Sequence, residues 1–386
     1  MKARTIQPML LGLALLLGLP LAMGQPPAGL RLAPQNPTQG EGLGYAVAMA
    51  DATLAVSTRF TQSIYLFSYD GTAWQEVQKI TGPQGSLNRT HSKSLGEVMA
   101  MHGNRLLVAA PQGGTDEASK TGLIEVFRQG EQGWQMETIL YAPEPIAGAR
   151  LGSAVDLNEA WIIAGAPKLR YETGGAYLFH HTPEGWQTQT LENPDARATY
   201  CFGEAVAIGE RFAVVGAPGY EAKGQQTGAL YFYEMRPEGW QLVQTLNADP
   251  AYQSLGQSLD MRGDRLVVGA YGQVMVWERH IEQWEVVATL TNPEAGSANS
   301  FGSSLRLSPD GDKLIVGARN SAYLYCLNNG EWQMATAITN EATAFASHNA
   351  INDQTFILNS PYEGEVYIDG AIYCYDIAPY LQALIR

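Results

Sequence analysis

Short runs of alternating apolar and polar residues fill this chain from about residue 43 to residue 376, with turn residues between them. A period of two predicts half-buried β-strands. One recurring word is a Leu-Gly or Phe-Gly pair followed by alternating small and larger apolar residues. It stands at Leu43-Gly44, Leu95-Gly96, Leu151-Gly152, Phe202-Gly203, Leu255-Gly256 and Phe301-Gly302, and in weaker form at Phe345-Ala346. A second word is an apolar run ending near Gly-Ala-Pro. Its fullest copies are Gly165-Ala166-Pro167 and Gly216-Ala217-Pro218, and Ser57-Thr58 holds the place in the first copy. The Gly of the first word and the first residue of the second lie 13 apart in six of seven copies. In the sixth copy, Gly302 to Gly317, the distance is 15, and the turn Ser308-Pro309-Asp310-Gly311-Asp312 carries the extra residues.

Each copy continues with an aromatic-rich alternating strand, such as Ala176 to His181 or Ala229 to Glu234. A fourth strand then opens at a tryptophan after a tight turn: Trp74, Trp134, Trp186, Trp240, Trp284 and Trp332, each followed by Gln or Glu. Four antiparallel strands per repeat at this period predict propeller blades. The fold class is therefore all-β, a seven-bladed β-propeller of four-stranded blades. The seventh repeat lacks its tryptophan strand. Leu30-Arg31-Leu32-Ala33-Pro34 matches the end of such a strand, so residues near 29–34 are expected to close the ring and remove its open edges. Small and large residues alternate in the first strands (Val47 and Met49, Val155 and Leu157, Val206 and Ile208), as interleaving around a crowded axis requires. The tryptophans are expected to pack over the outer rim of each blade rather than form a sugar-binding stripe, because they recur with the repeat.

The N-terminus changes the setting. Lys2 and Arg4 precede the apolar run Met9 to Leu19, and Ala22-Met23-Gly24 is a small-x-small cleavage site. Residues 1–24 read as a secretory signal peptide, with an uncleaved anchor as the alternative. The propeller then spans 25–378 and a short tail 379–386. Export to the periplasm, the cell surface or the medium is expected, with no transmembrane segment after cleavage. Lys and Arg total 24 against 38 Asp and Glu, a net charge of −14, with no basic cluster. Such a surface excludes nucleic acid as a partner. Export permits disulfides, but Cys201, Cys326 and Cys374 are odd in number. Strand alignment puts Cys326 and Cys374 one position out of register and facing opposite ways, so free thiols are expected.

The repeat words, Phe202-Gly203 with Gly216-Ala217-Pro218 above all, resemble the FG-GAP repeats of integrin α-subunit propellers and their exported bacterial relatives. That resemblance implies a binding or adhesion role. It also raises calcium, which many such blades hold in an Asp-x-Asp-x-Asp-Gly loop between the first two strands. Here those links are tight turns, as at His102-Gly103-Asn104 and Gly209-Glu210, and Asp310-Gly311-Asp312 offers two carboxylates to an ion that needs six to eight oxygens. No cofactor is expected and calcium is disfavoured.

The links between second and third strands, and between repeats, are longer and share one face. Function concentrates on such loops. The candidate ligand-binding residues there are Arg150, Arg170, Tyr171, Tyr200, Tyr220, Tyr271, Arg319 and Tyr362, with Arg89, His91, Lys168 and Lys223 nearby. The expected ligand is a protein or a glycan. Catalytic words are missing: no Gly-x-Ser-x-Gly, His-Glu-x-x-His, Walker loop or Cys-x-x-Cys occurs. Asp156, Asp260 and Arg306 occupy one position of the first strands in three blades, and Asp260 and Arg306 are placed to pair. A polysaccharide- or lipid-active hydrolase or lyase at the axis is the alternative, and a passive envelope-assembly component is a third.

Overall fold

The computed structural model describes Arg4, Thr5 and residues 29–81, 94–114, 118–191, 193–195, 200–222, 224–247, 253–281, 283–294, 300–340, 345–362 and 369–384. The cleavage site, Arg89, His91 and Lys223 lie outside the described residues. Among the described residues, seven antiparallel sheets contain four blade strands each. Blade 1 comprises Leu43–Ala50, Thr53–Thr58, Ser63–Tyr69 and Trp74–Thr81, from the axis outward. Blade 4 repeats the plan with Ala205–Ile208, Phe212–Ala217, Ala229–Arg236 and Gly239–Asn247. A two-residue stretch, Arg4–Thr5, runs parallel to Leu246 and Asn247 at the outer edge of that blade. The innermost strands touch their neighbours in chain order, and that of blade 7 touches that of blade 1, so the seven sheets form a ring.

Blade 7 takes Asn349–Ile351, Thr355–Ser360 and Ala371–Asp376 from the end of the chain. Its fourth strand is Leu30–Leu32, in register Leu30 with Cys374, Arg31 with Tyr373 and Leu32 with Ile372. The expected closure by the N-terminal segment is what the ring uses.

The constant spacing of the two repeat words has a hydrogen-bond origin. The amide of Gly203 donates to the carbonyl of Gly216 at 3.0 Å, and Gly152 donates to Gly165 at 2.9 Å. Gly96 to Ala109 and Ala346 to Asn359 repeat the bond at 2.9 and 2.8 Å. One residue more or less between the words would break that bond or flip every side chain of the strand. Blade 6 keeps the bond, Gly302 to Gly317 at 3.0 Å, because its extra residues bulge into the Ser308–Asp312 turn.

The glycines themselves serve the contact between blades. Gly256 turns left-handed at φ 90°, and its carbonyl points at the second strand of the preceding blade so closely that a Cβ on Gly216 would stand 2.2 Å from the oxygen. Ser57 and Asn359 replace that second glycine in blades 1 and 7 by donating to the same carbonyl. Ser57 Oγ reaches Gly96 O at 2.7 Å, and Asn359 Nδ2 reaches Gly44 O at 2.8 Å.

Core lies between blades. Ala100 of blade 2 faces Val155 and Leu157 of blade 3, and Ala205 and Ala207 of blade 4 face Leu259 and Met261 of blade 5. Small residues thus receive the large residues of the next blade. The tryptophans pack, as expected, but deeper than a rim. Trp134, Trp240 and Trp284 are buried against the preceding blade, with Trp284 stacked on Phe232 at 5.5 Å. Glutamines fasten two of them: Gln78 accepts from the Trp134 amide and donates to its carbonyl, both at 2.8 Å, and Gln189 does the same for Trp240.

All three cysteines are free. The register differs from the sequence expectation, however. Ala322 pairs with Gly317 and Ile372 with Asn359, which puts the two cysteines two positions apart and on the same face. Each points at the following blade, Cys326 toward blade 7 and Cys374 toward blade 1, and a whole sheet separates them. After blade 7 the chain forms a helix, Ala378–Leu384, whose Tyr380 packs on Phe356 at 6.0 Å. Among the described residues no helix is long and apolar enough to cross a membrane.

Candidate functional site

On the long-loop face, the second-to-third-strand loop of blade 3 departs from ordinary backbone geometry. Arg170, Tyr171 and Glu172 are all left-handed, at φ 49°, 61° and 69°. Each such residue without glycine costs about 1–2 kcal/mol. The loop is held by its neighbours. Gly174 N donates to Leu169 O at 3.1 Å, Thr173 Oγ1 to Arg170 O at 2.9 Å, and Cys201 N to Glu172 O at 2.8 Å. Lys168 Nζ pairs with Glu172 Oε1 at 3.0 Å. The outcome is an Arg-Tyr pair pushed outward: Tyr171 is 91% exposed, and the Arg170 side chain is 69% exposed with Glu144 at 4.0 Å.

Beside this loop lies a charged group drawn from three loops. Loss of hydration holds the Glu204 carboxyl above its usual range, with Glu172 adding to the shift while Lys168 and Arg150 oppose it. Arg150 and Cys201 are themselves left-handed, at φ 59° and 52°. Strained backbone of this kind gathers at functional sites.

The other candidates divide. Tyr200 is only 5% exposed and packs tilted against Tyr220 at 4.9 Å, while the Tyr220 hydroxyl accepts from Asn247 Nδ2 at 3.0 Å. Tyr200 therefore supports the loop floor and offers a ligand almost no surface. Tyr271 on blade 5 is 44% exposed, and Arg319 on blade 6 is exposed. Tyr362 is engaged across the ring seam: its hydroxyl accepts from Arg59 Nη1 at 2.6 Å. Arg59 lies over the rings of Tyr362, Phe60 and Tyr45 at 5.1, 5.4 and 5.8 Å. Burial, with Glu97 nearby, pushes the Tyr45 phenol up to about 12. Sequence reasoning passed over Arg59 and Phe60. Their signal is position, since they directly follow Ser57-Thr58 where other blades continue past Gly-Ala-Pro.

The short-turn face holds a second feature. A cavity of about 580 Å³ opens at the axis, bounded by the first turns of most blades, with Met49, Met101, Met261 and Ile351 on its walls. Asp156 and Arg262 line it as well, and with Arg306 they border a small adjoining space of about 30 Å³ that faces Ala48, Ala100 and Ala350. Asp260 and Arg306 do pair, Oδ1 to Nη1 at 3.7 Å, and Arg262 joins the same oxygen at 3.2 Å. Both carboxylates also tie blades together. Asp156 Oδ2 accepts from the Ile208 amide at 2.8 Å, and Asp260 Oδ2 from the Leu307 amide at 2.6 Å. Enclosure by protein raises the Asp156 carboxyl to about 6, against the pull of Arg262. Arg262 was missed in the sequence, although two residues after Asp260 on one strand means the same face.

Several other chemistry-bearing residues are engaged elsewhere. Asp310 pairs with Lys313, and Asp312 accepts from Arg265 Nη1 at 2.8 Å, so this turn is cross-linked by cations. His180 packs tilted against Trp161 at 4.0 Å, and His181 meets Trp186 edge-on at 5.5 Å.

Comparison with known proteins agrees with this architecture. Residues 186–233, from the tryptophan strand of blade 3 through the third strand of blade 4, match the FG-GAP repeat model. No curated protein sequence matches the chain. Among solved structures, Hsv2 of Kluyveromyces lactis superimposes with a TM-score of 0.53 at 12% identity, covering 86% of this chain and 97% of its own. The Dos1 propeller gives 0.52 at 12% identity, covering 84% and 75%. A Bacteroides uniformis protein named as a candidate 6-phosphogluconolactonase gives 0.51 at 11% identity, covering 77% and 85%. At such identities the likeness shows the propeller fold alone.

Proposed function

We propose that this FG-GAP-repeat propeller is an exported binding module that recognises a protein or a glycan through its long-loop face. The observation that carries the reading is the strained blade 3 loop, which spends backbone energy to present Arg170 and Tyr171 to solvent. Arginine and tyrosine are the side chains that most often dominate recognition surfaces. Arg150 flanks them, and Tyr271, Arg319 and Tyr362 extend the face around the ring. Export rests on the N-terminal sequence, and the integrin-like adhesion role on the FG-GAP resemblance.

The axial enzyme reading has one observation in its favour, the raised Asp156 carboxyl. Asp260, its partner carboxylate, already accepts from a backbone amide and faces two guanidiniums, which suits holding blades together better than moving protons.

Thermal-shift screening against a glycan panel, followed by cross-linking in envelope fractions, finds the ligand. The double substitution Arg170→Ala, Tyr171→Ala is then expected to weaken binding at least about tenfold with the melting temperature unchanged or raised. Unchanged affinity would remove this loop from the site.

A further inference from the structure

The axis carries donors that packing does not need. Where blades 1, 2, 4 and 7 place Ala48, Ala100, Ala207 and Ala350, blades 3, 5 and 6 place Asp156, Asp260 and Arg306. Among the described residues Arg306 makes no hydrogen bond, and its ion pair is with Asp260 at 3.7 Å. Arg262 commits Nη1 alone, to Asp260 Oδ1 at 3.2 Å and Met261 O at 2.7 Å. A guanidinium has five N–H donors in a planar fork. Two such forks meet here, and the nearby carboxylates have each given one oxygen to a backbone amide.

We propose that the axial cavity on the short-turn face binds a small monocarboxylate with an apolar body, its carboxylate seated against Arg306 and Arg262. The fork geometry matches a planar carboxylate in two parallel hydrogen bonds. The cavity, about 580 Å³, lies in the range of small-molecule sites. Its methionines supply adaptable apolar walls below the two arginines. Asp51, Glu210 and Asp264 line the cavity beside Arg211, itself paired with Glu234, and repel an anion more strongly the higher its charge. Phosphate is therefore the wrong anion for this site.

Charge at the axis sets a pH dependence. Asp156 faces Arg262, Asp260 and Arg306 across the channel and the Ile208 amide from blade 4. Blades 1, 2 and 7 present Ala48, Ala100 and Ala350 there. His348 stands beside Arg306, and burial holds it down at about 4, so it stays neutral above pH 5. His102 lies at the mouth with the acidic groups. With Asp156 titrating near 6, acidification from pH 7.5 to 5.5 removes a negative charge that opposes the ligand. Affinity for a carboxylate rises roughly three- to tenfold over that interval.

Calorimetry and amide NMR of the whole protein test this with butyrate and glucuronate, against butanol, glucose and inorganic phosphate. Saturable binding of butyrate, tighter than that of glucuronate and with none of butanol or glucose, is expected, and binding of glucuronate alone would overturn the apolar body. Arg306→Gln should lower affinity at least tenfold, and Asp156→Asn should abolish the pH dependence. Should Arg306→Gln fail to fold, Met101→Trp fills the cavity from its apolar side and must lower affinity equally. No saturable binding at 10 mM, phosphate binding as tight as carboxylate, or an unchanged Kd in the folded variant would overturn the assignment. These probes act on the face opposite the long loops, so their failure leaves the proposed recognition surface untouched.

Discussion

Asp156 shows how one side chain serves two demands that conflict. Its carboxylate ties blade 3 to blade 4 through the Ile208 amide, yet enclosure lifts it to about 6. An acid with a raised folded-state pKa costs the fold stability in its ionised form. That cost is absent below the unfolded value of about 4, grows between pH 4 and 6, and is constant above. Asp156→Asn keeps an oxygen for the Ile208 amide and removes the charge. The variant should be about 1–3 kcal/mol more stable than the parent at pH 8 and equal to it at pH 4, by urea denaturation at both values. The opposite case is Gly216, where an added methyl would meet the Gly256 carbonyl at 2.2 Å. Backbone cannot retreat as a flexible side chain can. Gly216→Ala should cost about 3 kcal/mol, read as a lower melting temperature.

At the scale of strands and blades, the repeat was legible because its spacing is a hydrogen-bond register, as the Gly203–Gly216 bond shows. The closing strand was legible for a similar reason: Leu30-Arg31-Leu32 repeats the ending of other fourth strands. The cysteine register was misread because matching the strand starts, Ala322 with Ala371, is one step off; the frame that pairs Ala322 with Gly317 and Ile372 with Asn359 instead matches Tyr323 with Tyr373 and Tyr325 with Tyr375. Of the site, the exposure of Arg170 and Tyr171 followed from loop length, but the burial of Tyr200 did not. A tyrosine beside a turn looks the same in sequence whether it packs against Tyr220 or points to solvent. Arg59 and its aromatic surround join blade 1 to blade 7, a contact between chain ends that no local pattern records. Removing residues up to Leu32 leaves Ala371–Asp376 as an open edge. The truncated protein should form oligomers on size-exclusion chromatography and melt at lower temperature, whereas truncation ending before Gly29 should do neither.

The whole molecule is a ring with two unlike faces. One carries long loops and strained, exposed side chains. The other has tight turns around a charged, methionine-walled cavity. The two proposed sites lie on opposite faces of one ring. The closure of blade 7 also has a kinetic meaning. Leu32 is made early and its partner Ile372 near the end, so this pairing has close to the greatest sequence separation the ring contains. Blades 1 to 6 have all their strands before the ring can lock. Until then the sheet of blade 7 has no outer strand, and Leu30–Leu32 has nothing to pair with. The cooperative native state is therefore assembled last at its seam, and a chain interrupted before residue 371 would hold well-formed blades in an arc that never becomes a circle.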